Sequence, residues 1–303
     1  PDVLCNREIK FDIFLDKALK LNADYVATGH YVQRDTVDQN GQLIHRLISG
    51  ADPNKDQSYF LCQLNQWQLS KALFPIGNLQ KSEVRHIAEE IGLPTAHKKD
   101  SQGLCFIGKV KLPTFLQQQL KPKQGDIVEI PSHAPVYAEP IMAGNDAPSP
   151  QAERRSLTRS YQYAPDMGQV VGPHQGAHYF TIGQRKGLNV GGKAEPLFVI
   201  GTDTETNTVY VGMGEHHPGL NRPGLFIPAE DVHWVRPDLA LSIGEGKRYQ
   251  ARIRYRQDLQ EVHIFSASEG LYLVFDELQR GITPGQFAAW YQAGELIGSG
   301  VIA

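Results

Sequence analysis

The chain has 303 residues, of which 41% are hydrophobic and 21% are charged, with three cysteines and a formal net charge of −3. These values exclude a disordered or collagen-like protein and predict a globular one of two or three domains, without a global positive field for nucleic acid. No apolar run reaches the length of a membrane span and the first residues carry no secretion signal, so we expect a cytoplasmic protein without a membrane partner.

The first part of the chain alternates predicted helices with short strands. Apolar residues of one predicted helix fall on one face, at Phe11, Phe14, Leu15, Ala18 and Leu19. Residues 24–28 then predict a buried strand that ends at Gly29. A second helix is indicated by Val84, Ile87, Ala88 and Ile91, with Gly92 as its stop signal. This alternation predicts part of a doubly wound α/β sheet up to about residue 105, with ligands at the carboxyl ends of its strands.

Beyond residue 110 the pattern changes. The proline-rich stretch 131–171 shows no sustained period and predicts a mobile insertion. From residue 196 onward the sequence is typical of antiparallel strands, including a pair joined across Gln292-Ala293-Gly294. The predicted strands are 197–200, 208–211, 249–255, 262–265, 271–275, 288–291 and 295–302. Their number and spacing predict a small β-barrel.

The three cysteines are the first candidates for chemistry. An odd count in a reducing compartment makes a structural disulfide framework a poor interpretation. Cys5 and Cys105 have nearby cations, and glycines surround Cys105, which favours accessible thiolates, although most unpaired cysteines are small buried packing residues. Cys62 lies in an apolar segment and fits the packing interpretation.

The other polar candidates each have a structural alternative. No histidine or cysteine spacing indicates a metal site. His30 follows a strand and a glycine, where a ligand contact or a structural hydrogen bond are both possible. The segment Lys55–Ser58 could contact a base or phosphate, or could cap a helix through Asp56 or Ser58. Residues 252–256 alternate arginine with other residues, so a strand there would place three guanidinium groups on one face, for RNA or for solvent.

Many ordered motifs resemble one family, the tRNA-specific 2-thiouridylases (MnmA). They lie at residues 1–11, 23–31, 55–61, 74–77, 100–108, 174–176, 179–188, 254–257 and 283–286. The resemblance implies a fold of α/β plus β type. A partial PP-loop α/β domain, of the adenine nucleotide α-hydrolase-like kind, is expected at residues 1–109. A small central β-containing domain with the insertion 131–171 is expected at 110–222, and a C-terminal β-barrel at 223–303.

The resemblance also implies a reaction and its residues. In this family ATP, with Mg²⁺, activates wobble uridine 34 of tRNA, and a persulfide charged by a sulfur-relay protein delivers sulfur to C2. Cys105 would carry the persulfide and Cys5 would attack it, releasing sulfide or forming a transient Cys5–Cys105 disulfide. Asp2 would be the acid/base group and Gly29 an ATP contact. The expected tRNA contacts are His30, Lys55, Asp56, Gln57, Arg254, Tyr255 and Gln286.

One family feature is absent from the sequence. No Ser-Gly-Gly-Val-Asp-Ser type phosphate loop occurs in the 303 residues, so we expect an N-terminally truncated chain that adenylates tRNA poorly. A non-catalytic tRNA-binding remnant is therefore the alternative function. Another PP-loop enzyme, such as a 4-thiouridine synthase or an amidating ligase, is a third. No role is predicted for the insertion 131–171.

Overall fold

The computed structural model describes residues 2–98, 115, 120–138 and 149–303. A helical turn α1 and a π-helix, which is wound with i→i+5 hydrogen bonds, open the described part. The helices are α1 Asp2–Leu4, the π-helix Cys5–Phe14, α2 Leu15–Lys20, α3 Gln66–Lys71, α4 Lys81–Glu90 and α5 Pro150–Thr158. Short 3-10 turns occupy Ser58–Leu61, Pro135–Tyr137, Pro165–Met167, Ala177–Tyr179, Ala229–Asp231 and Pro237–Leu239.

Strands dominate the remainder, so an α/β beginning gives way to β structure as predicted. The strands are β1 Val26–Ala27, β2 Val32–Gln39, β3 Gln42–Ser49, β4 Ala72–Leu73, β5 Gly125–Glu129, β6 Gln169–His174, β7 Leu197–Asp203, β8 Thr208–Met213, β9 Asn221–Pro228, β10 Val232–Trp234, β11 Gly246–Arg252, β12 Gln260–Ala267, β13 Gly270–Arg280, β14 Phe287–Gln292 and β15 Glu295–Val301.

Two compact units share these elements. The first unit comprises Pro1–Lys109, Pro228–Glu261 and Gln286–Val301; the second comprises Val110–Ile227, Val262–Gly285 and Ile302–Ala303. In the first unit β1 and β4 form a parallel pair. A separate sheet there has the order β2-β3-β15-β14-β11, and β10 also pairs with β15. Residues distant in sequence therefore meet in the first unit.

The core of the first unit lies between its helices and this sheet. Fully buried residues include Phe11, Leu47, Cys62 and Tyr291. The predicted apolar face over residues 11–19 is correct for Phe11 and Leu15, which are both fully buried, but wrong for Phe14, which is 56% exposed. The reason is that the chain is π-helical up to Phe14, so α-helical spacing does not place that side chain.

Two sequence predictions in the first unit are confirmed closely. Helix α4 ends as its glycine indicates, because Gly92 takes a φ of 70° and its N–H donates to Glu89 O. Strands β14 and β15 are antiparallel, and the residues that join them, Ala293 and Gly294, have φ values of 49° and 78°. Positive φ at both central residues is the geometry of a type I′ hairpin turn.

The second unit contains a four-stranded sheet with the order β6-β5-β8-β7. Neighbouring residues of β5 face opposite sides: Ile127 belongs to one buried cluster and Val128 to another. This alternation is the two-residue period of a strand that is covered on both faces. The same unit holds β12, β13 and β9 in that order, with β12 and β13 antiparallel as predicted.

The stretch 131–171, in which the sequence shows no sustained period, contains the helix α5 in the part that the structure describes. Ser149 caps α5 by accepting a hydrogen bond from Ala152 N at 3.3 Å, and Pro150 is its first residue. Arg155 on α5 pairs with Glu269 at 2.5 Å and donates to Tyr272 Oη at 3.1 Å. These contacts fasten α5 to the β12–β13 hairpin.

Candidate functional site

Asp2 opens α1, and Cys5, three residues later, is the first residue of the π-helix that continues it. Asp2 is exposed and Cys5 is half-buried. The adjacent Asn6 is buried, and its Nδ2 donates both to Asp2 O at 2.9 Å and to Phe60 O at 3.2 Å. Asn6 thus fixes the beginning of this helix against the 3-10 turn Ser58–Leu61.

Cys62 lies beneath this region, with none of its side chain exposed. Burial raises the pKa of its thiol to about 12, despite a hydrogen bond with Ser299 that favours the thiolate. Ser299 Oγ also donates to Cys62 O at 2.6 Å and accepts from Gln63 Nε2 at 2.7 Å. Cys62 is a packing residue, as its apolar segment predicted.

The segment Lys55–Gln57 lies beside the residues that follow β1. Gln57 Oε1 accepts from Tyr31 N at 3.0 Å, and Gln57 N donates to Tyr31 O at 3.1 Å. Lys55 and Gln57 are half-buried, whereas Asp56 is buried. The structure therefore brings the predicted tRNA contacts Lys55 and Gln57 close to the neighbour of a third, His30.

His30 itself is buried and forms a three-ring cluster with Phe11 and Phe74, whose centroids each lie 6.3 Å from its own and 6.2 Å from each other. Its Nδ1 is 2.8 Å from Thr28 Oγ1. Burial, helped by the nearby Lys10 cation, lowers the pKa of His30 to about 4. The imidazole is therefore neutral at physiological pH and offers hydrogen bonds rather than a positive charge.

The arginine-rich segment 252–256 is not a strand, and the prediction that its three guanidinium groups share one face is wrong. Strand β11 ends at Arg252, which is buried, and the chain then turns so that Arg254 and Arg256 are exposed. Arg256 takes a φ of 68°, which breaks the two-residue alternation on which a common face depends. Arg254 and Tyr255 are thus displayed on a turn.

Two aromatic residues that the sequence analysis did not single out, Tyr59 and Phe60, bring the remaining predicted contacts together. Tyr59 Oη donates to Phe287 O at 2.9 Å and lies 3.4 Å from Ile253 O. These carbonyls belong to the residues next to the exposed Gln286 and next to Arg254. The ring of Phe60 packs on Tyr255, with 4.2 Å between centroids. The only sequence feature that could have indicated a role for Tyr59 and Phe60 was their position directly after the segment Lys55–Ser58.

Gly29 is exposed just beyond the carboxyl end of β1. A Cβ atom at Gly29 would meet only Ile76 Cδ1, at 4.0 Å, so packing within the described residues does not require glycine there. Open space beside a strand end of this kind can admit a ligand close to the backbone. His30 follows directly, so the predicted ATP contact adjoins a predicted tRNA contact.

Cys105, the predicted persulfide carrier, lies outside the described residues, and the structure therefore gives no distance between Cys105 and Cys5. Among the residues that the structure does describe, no disulfide is formed. Nor does that part of the chain bring together three or more histidine, cysteine or acidic side chains that could hold a metal ion. None of its helices is long and apolar enough to cross a membrane.

Comparison with known proteins adds family information to this geometry. The chain is 59% identical over 303 residues to the tRNA-specific 2-thiouridylase MnmA of Flavobacterium johnsoniae, covering 100% of this chain and 76% of that protein. The MnmA protein of Christiangramia forsetii gives the same identity and coverage, and that of Bacillus subtilis is 43% identical over 70% of its length. The chain belongs to the tRNA-specific 2-thiouridylase family. Members of this family are sulfurtransferases.

Models of known protein families match three successive regions of this 2-thiouridylase. A tRNA methyl transferase HUP domain matches residues 1–109, a tRNA methyl transferase PRC-barrel domain matches 159–213, and an aminomethyltransferase β-barrel domain matches 226–302. These matches confirm the predicted fold class of an α/β nucleotide-binding part, a central β-containing part and a C-terminal β-barrel. Proteins with a HUP domain of the PP-loop type generally use ATP.

Proposed function

We propose that this protein is an ATP-dependent sulfurtransferase that places sulfur on C2 of wobble uridine 34 in tRNA. The observation that carries the proposal is the double hydrogen bond of Asn6, to Asp2 O and to Phe60 O. It ties the helix of the proposed reactive residues to the backbone of Phe60, whose ring packs on the proposed tRNA contact Tyr255. Chemistry and RNA recognition thus belong to one continuous region of the first unit.

Two cysteines would divide the sulfur chemistry. Cys105 carries a persulfide, and the Cys5 thiolate attacks its inner sulfur, which breaks the S–S bond and forms a Cys5–Cys105 disulfide. The outer sulfur leaves as hydrosulfide and attacks C2 of the uridine, whose oxygen has been adenylated by ATP with release of pyrophosphate and now departs as AMP. A cellular thiol reductant returns both cysteines to thiols. The half-buried position of Cys5 at a helix start supports this role, because the sulfur must reach a partner thiol.

Asp2 would hold or move the proton of the target base. It is exposed and lies one helical turn from Cys5, so it can approach the same uridine. The side chains that would contact the tRNA are those of His30, Lys55, Gln57, Arg254, Tyr255 and Gln286. The neutral state of His30 suits a hydrogen bond to a base or ribose rather than an ion pair with phosphate.

Gly29 would contact ATP, which with Mg²⁺ makes the C2 oxygen of the uridine a leaving group. The space that the described residues leave at its Cβ position supports this assignment. A Gly29→Val variant should therefore raise KM for ATP while leaving the affinity for tRNA unchanged. An unchanged KM for ATP would contradict the contact.

Further features of the proposal follow from the substrate. A sulfur-relay protein upstream charges Cys105, and the enzyme works in the cytoplasm, where tRNA is modified. We also retain the three functional regions 1–109, 110–222 and 223–303 as a proposal. The binding-only alternative is not favoured, because relatives named 2-thiouridylases match the whole chain.

The test is nucleoside analysis of tRNA after incubation with ATP, a persulfide donor and the protein joined to the phosphate-loop segment that the 303 residues lack. Mass spectrometry should detect 2-thiouridine at position 34, and only when ATP is present. Formation of 4-thiouridine would favour a different PP-loop enzyme, and tRNA binding without any thiolation would favour the binding-only function. Either result would overturn the proposal.

A further inference from the structure

A buried polar cluster underlies the proposed tRNA contacts of the first unit. Its centre is Asp56, which is 5% exposed. Asp56 Oδ1 accepts from Gly50 N and Ser58 N, each at 3.1 Å. Asp56 Oδ2 accepts from Ser58 Oγ at 3.0 Å and lies 3.3 Å from Arg252 Nη1. These four contacts match the acceptor capacity of a carboxylate, so the side chain is occupied by the protein itself.

Arg252 is the partner of Asp56 and the last residue of β11. It is only 9% exposed, and its guanidinium lies over the ring of Tyr291 at 5.0 Å from the centroid. Tyr291 is fully buried, and its hydroxyl is 3.0 Å from Ser58 Oγ. The four side chains of Asp56, Ser58, Arg252 and Tyr291 therefore form one closed cluster beneath the surface, which we call the Asp56–Arg252 cluster.

The cluster joins two segments that are far apart in sequence. Asp56 lies between Lys55 and Gln57, and Arg252 precedes Arg254 by two residues. Removing one member of a buried ion pair leaves an uncompensated charge that draws water inward. Because each member belongs to a segment that displays a proposed tRNA contact, such a loss would displace that contact.

We propose that Asp56 and Arg252 are positioning residues for tRNA recognition. Their ion pair holds Lys55 and Gln57 in register with the Arg254–Tyr255 turn, and neither side chain of the pair touches RNA. The proposal rests on the proposed tRNA-thiolating function, and it assigns to Asp56 an indirect role through Arg252 and Ser58.

The test is a double-mutant cycle in the full chain, with Asp56→Asn, Arg252→Gln and the double variant. The dissociation constant for tRNA, kcat, KM for tRNA and the melting temperature are measured for each. Either single variant should raise Kd and KM about tenfold at unchanged kcat, and the double variant should match the singles within about twofold. Arg252→Lys, which keeps the positive charge but loses the planar group that lies over Tyr291, should cause a smaller loss than Arg252→Gln. Arg85→Gln, on the exposed face of α4, removes an equal charge and should change neither constant.

Three results would overturn the proposal. Losses that multiply to about 100-fold in the double variant would mean that each side chain contacts RNA independently. A lower melting temperature with unchanged Kd and KM, or a lower kcat alone, would mean that the pair only stabilises the fold. Failure of the proposed function is distinguishable, because the unsubstituted protein would then form no 2-thiouridine; that result would remove both proposals.

Discussion

The two described cysteines should differ sharply in their reaction with an alkylating reagent. Burial moves the pKa of Cys62 from 9.0 to about 12, and its side chain is fully inaccessible. Because the thiolate is the reactive form, a pKa of about 12 instead of 9.0 leaves about 1000-fold less thiolate at neutral pH. Cys62 should therefore react with iodoacetamide at least about 1000-fold more slowly in the native protein than in denaturant, whereas the half-buried Cys5 should react in the native state.

Peptide mapping by mass spectrometry after timed alkylation measures both rates in one sample. Labelling of Cys62 should begin only at urea concentrations that unfold the first unit. A Cys62→Ala variant serves as the control and should leave the Cys5 rate unchanged. Native labelling of Cys62 within tenfold of its denatured rate, while circular dichroism shows a folded protein, would refute its assignment as an inert packing residue.

Two further predictions concern residues around the site. Phe60→Leu keeps apolar bulk but removes the ring that packs on Tyr255. Because aromatic pairs contribute about 1 kcal/mol, the affinity for tRNA in a filter-binding assay should fall about fivefold. An unchanged affinity would contradict the role of Phe60 in orienting Tyr255. The pKa of His30 is about 4 in the folded protein and 6.5 in the unfolded chain, so the unfolded chain binds more protons between these two pH values. Acidification from pH 6.5 to pH 4 should therefore lower the free energy of unfolding, by up to about 3 kcal/mol. In urea titrations at pH 7 and pH 4.5, His30→Gln should lose most of this dependence; an unchanged dependence would place its cause elsewhere.

Local signals in the sequence predicted several elements well. Helix α4 is defined by its own apolar spacing and its glycine stop, and the β14–β15 turn by residues that accept positive φ. The β2–β3 hairpin was missed although its turn, Asn40-Gly41, is a strong type I′ signal, with φ values of 57° and 83°. Helix α5 was missed in the same way, because the surrounding prolines outweighed the Ser149-Pro150 start signal.

Long-range contacts were beyond the reach of sequence patterns. The alternation in residues 252–256 predicted a shared face, but a turn at Arg256 and an ion pair with Asp56, almost 200 residues earlier in the chain, separate the arginines. Motif resemblance selected Asp2, Cys5 and the Lys55–Gln57 segment without saying how they are arranged. Their arrangement depends on contacts of Asn6, Tyr59 and Arg252 with distant segments. Such hydrogen bonds and ion pairs produce no periodic pattern in the sequence.

We propose that sulfur is carried on Cys105 and freed by Cys5. This proposal is tested most directly by charging the protein with ³⁵S-labelled persulfide and following the label to tRNA in the presence of ATP. Cys105→Ser should acquire no reducible label, and Cys5→Ser should acquire label but pass it to tRNA at a small fraction of the unsubstituted rate. Cys62→Ala should behave as the unsubstituted protein. Full label transfer by both Cys5→Ser and Cys105→Ser would contradict the proposed roles of the two cysteines.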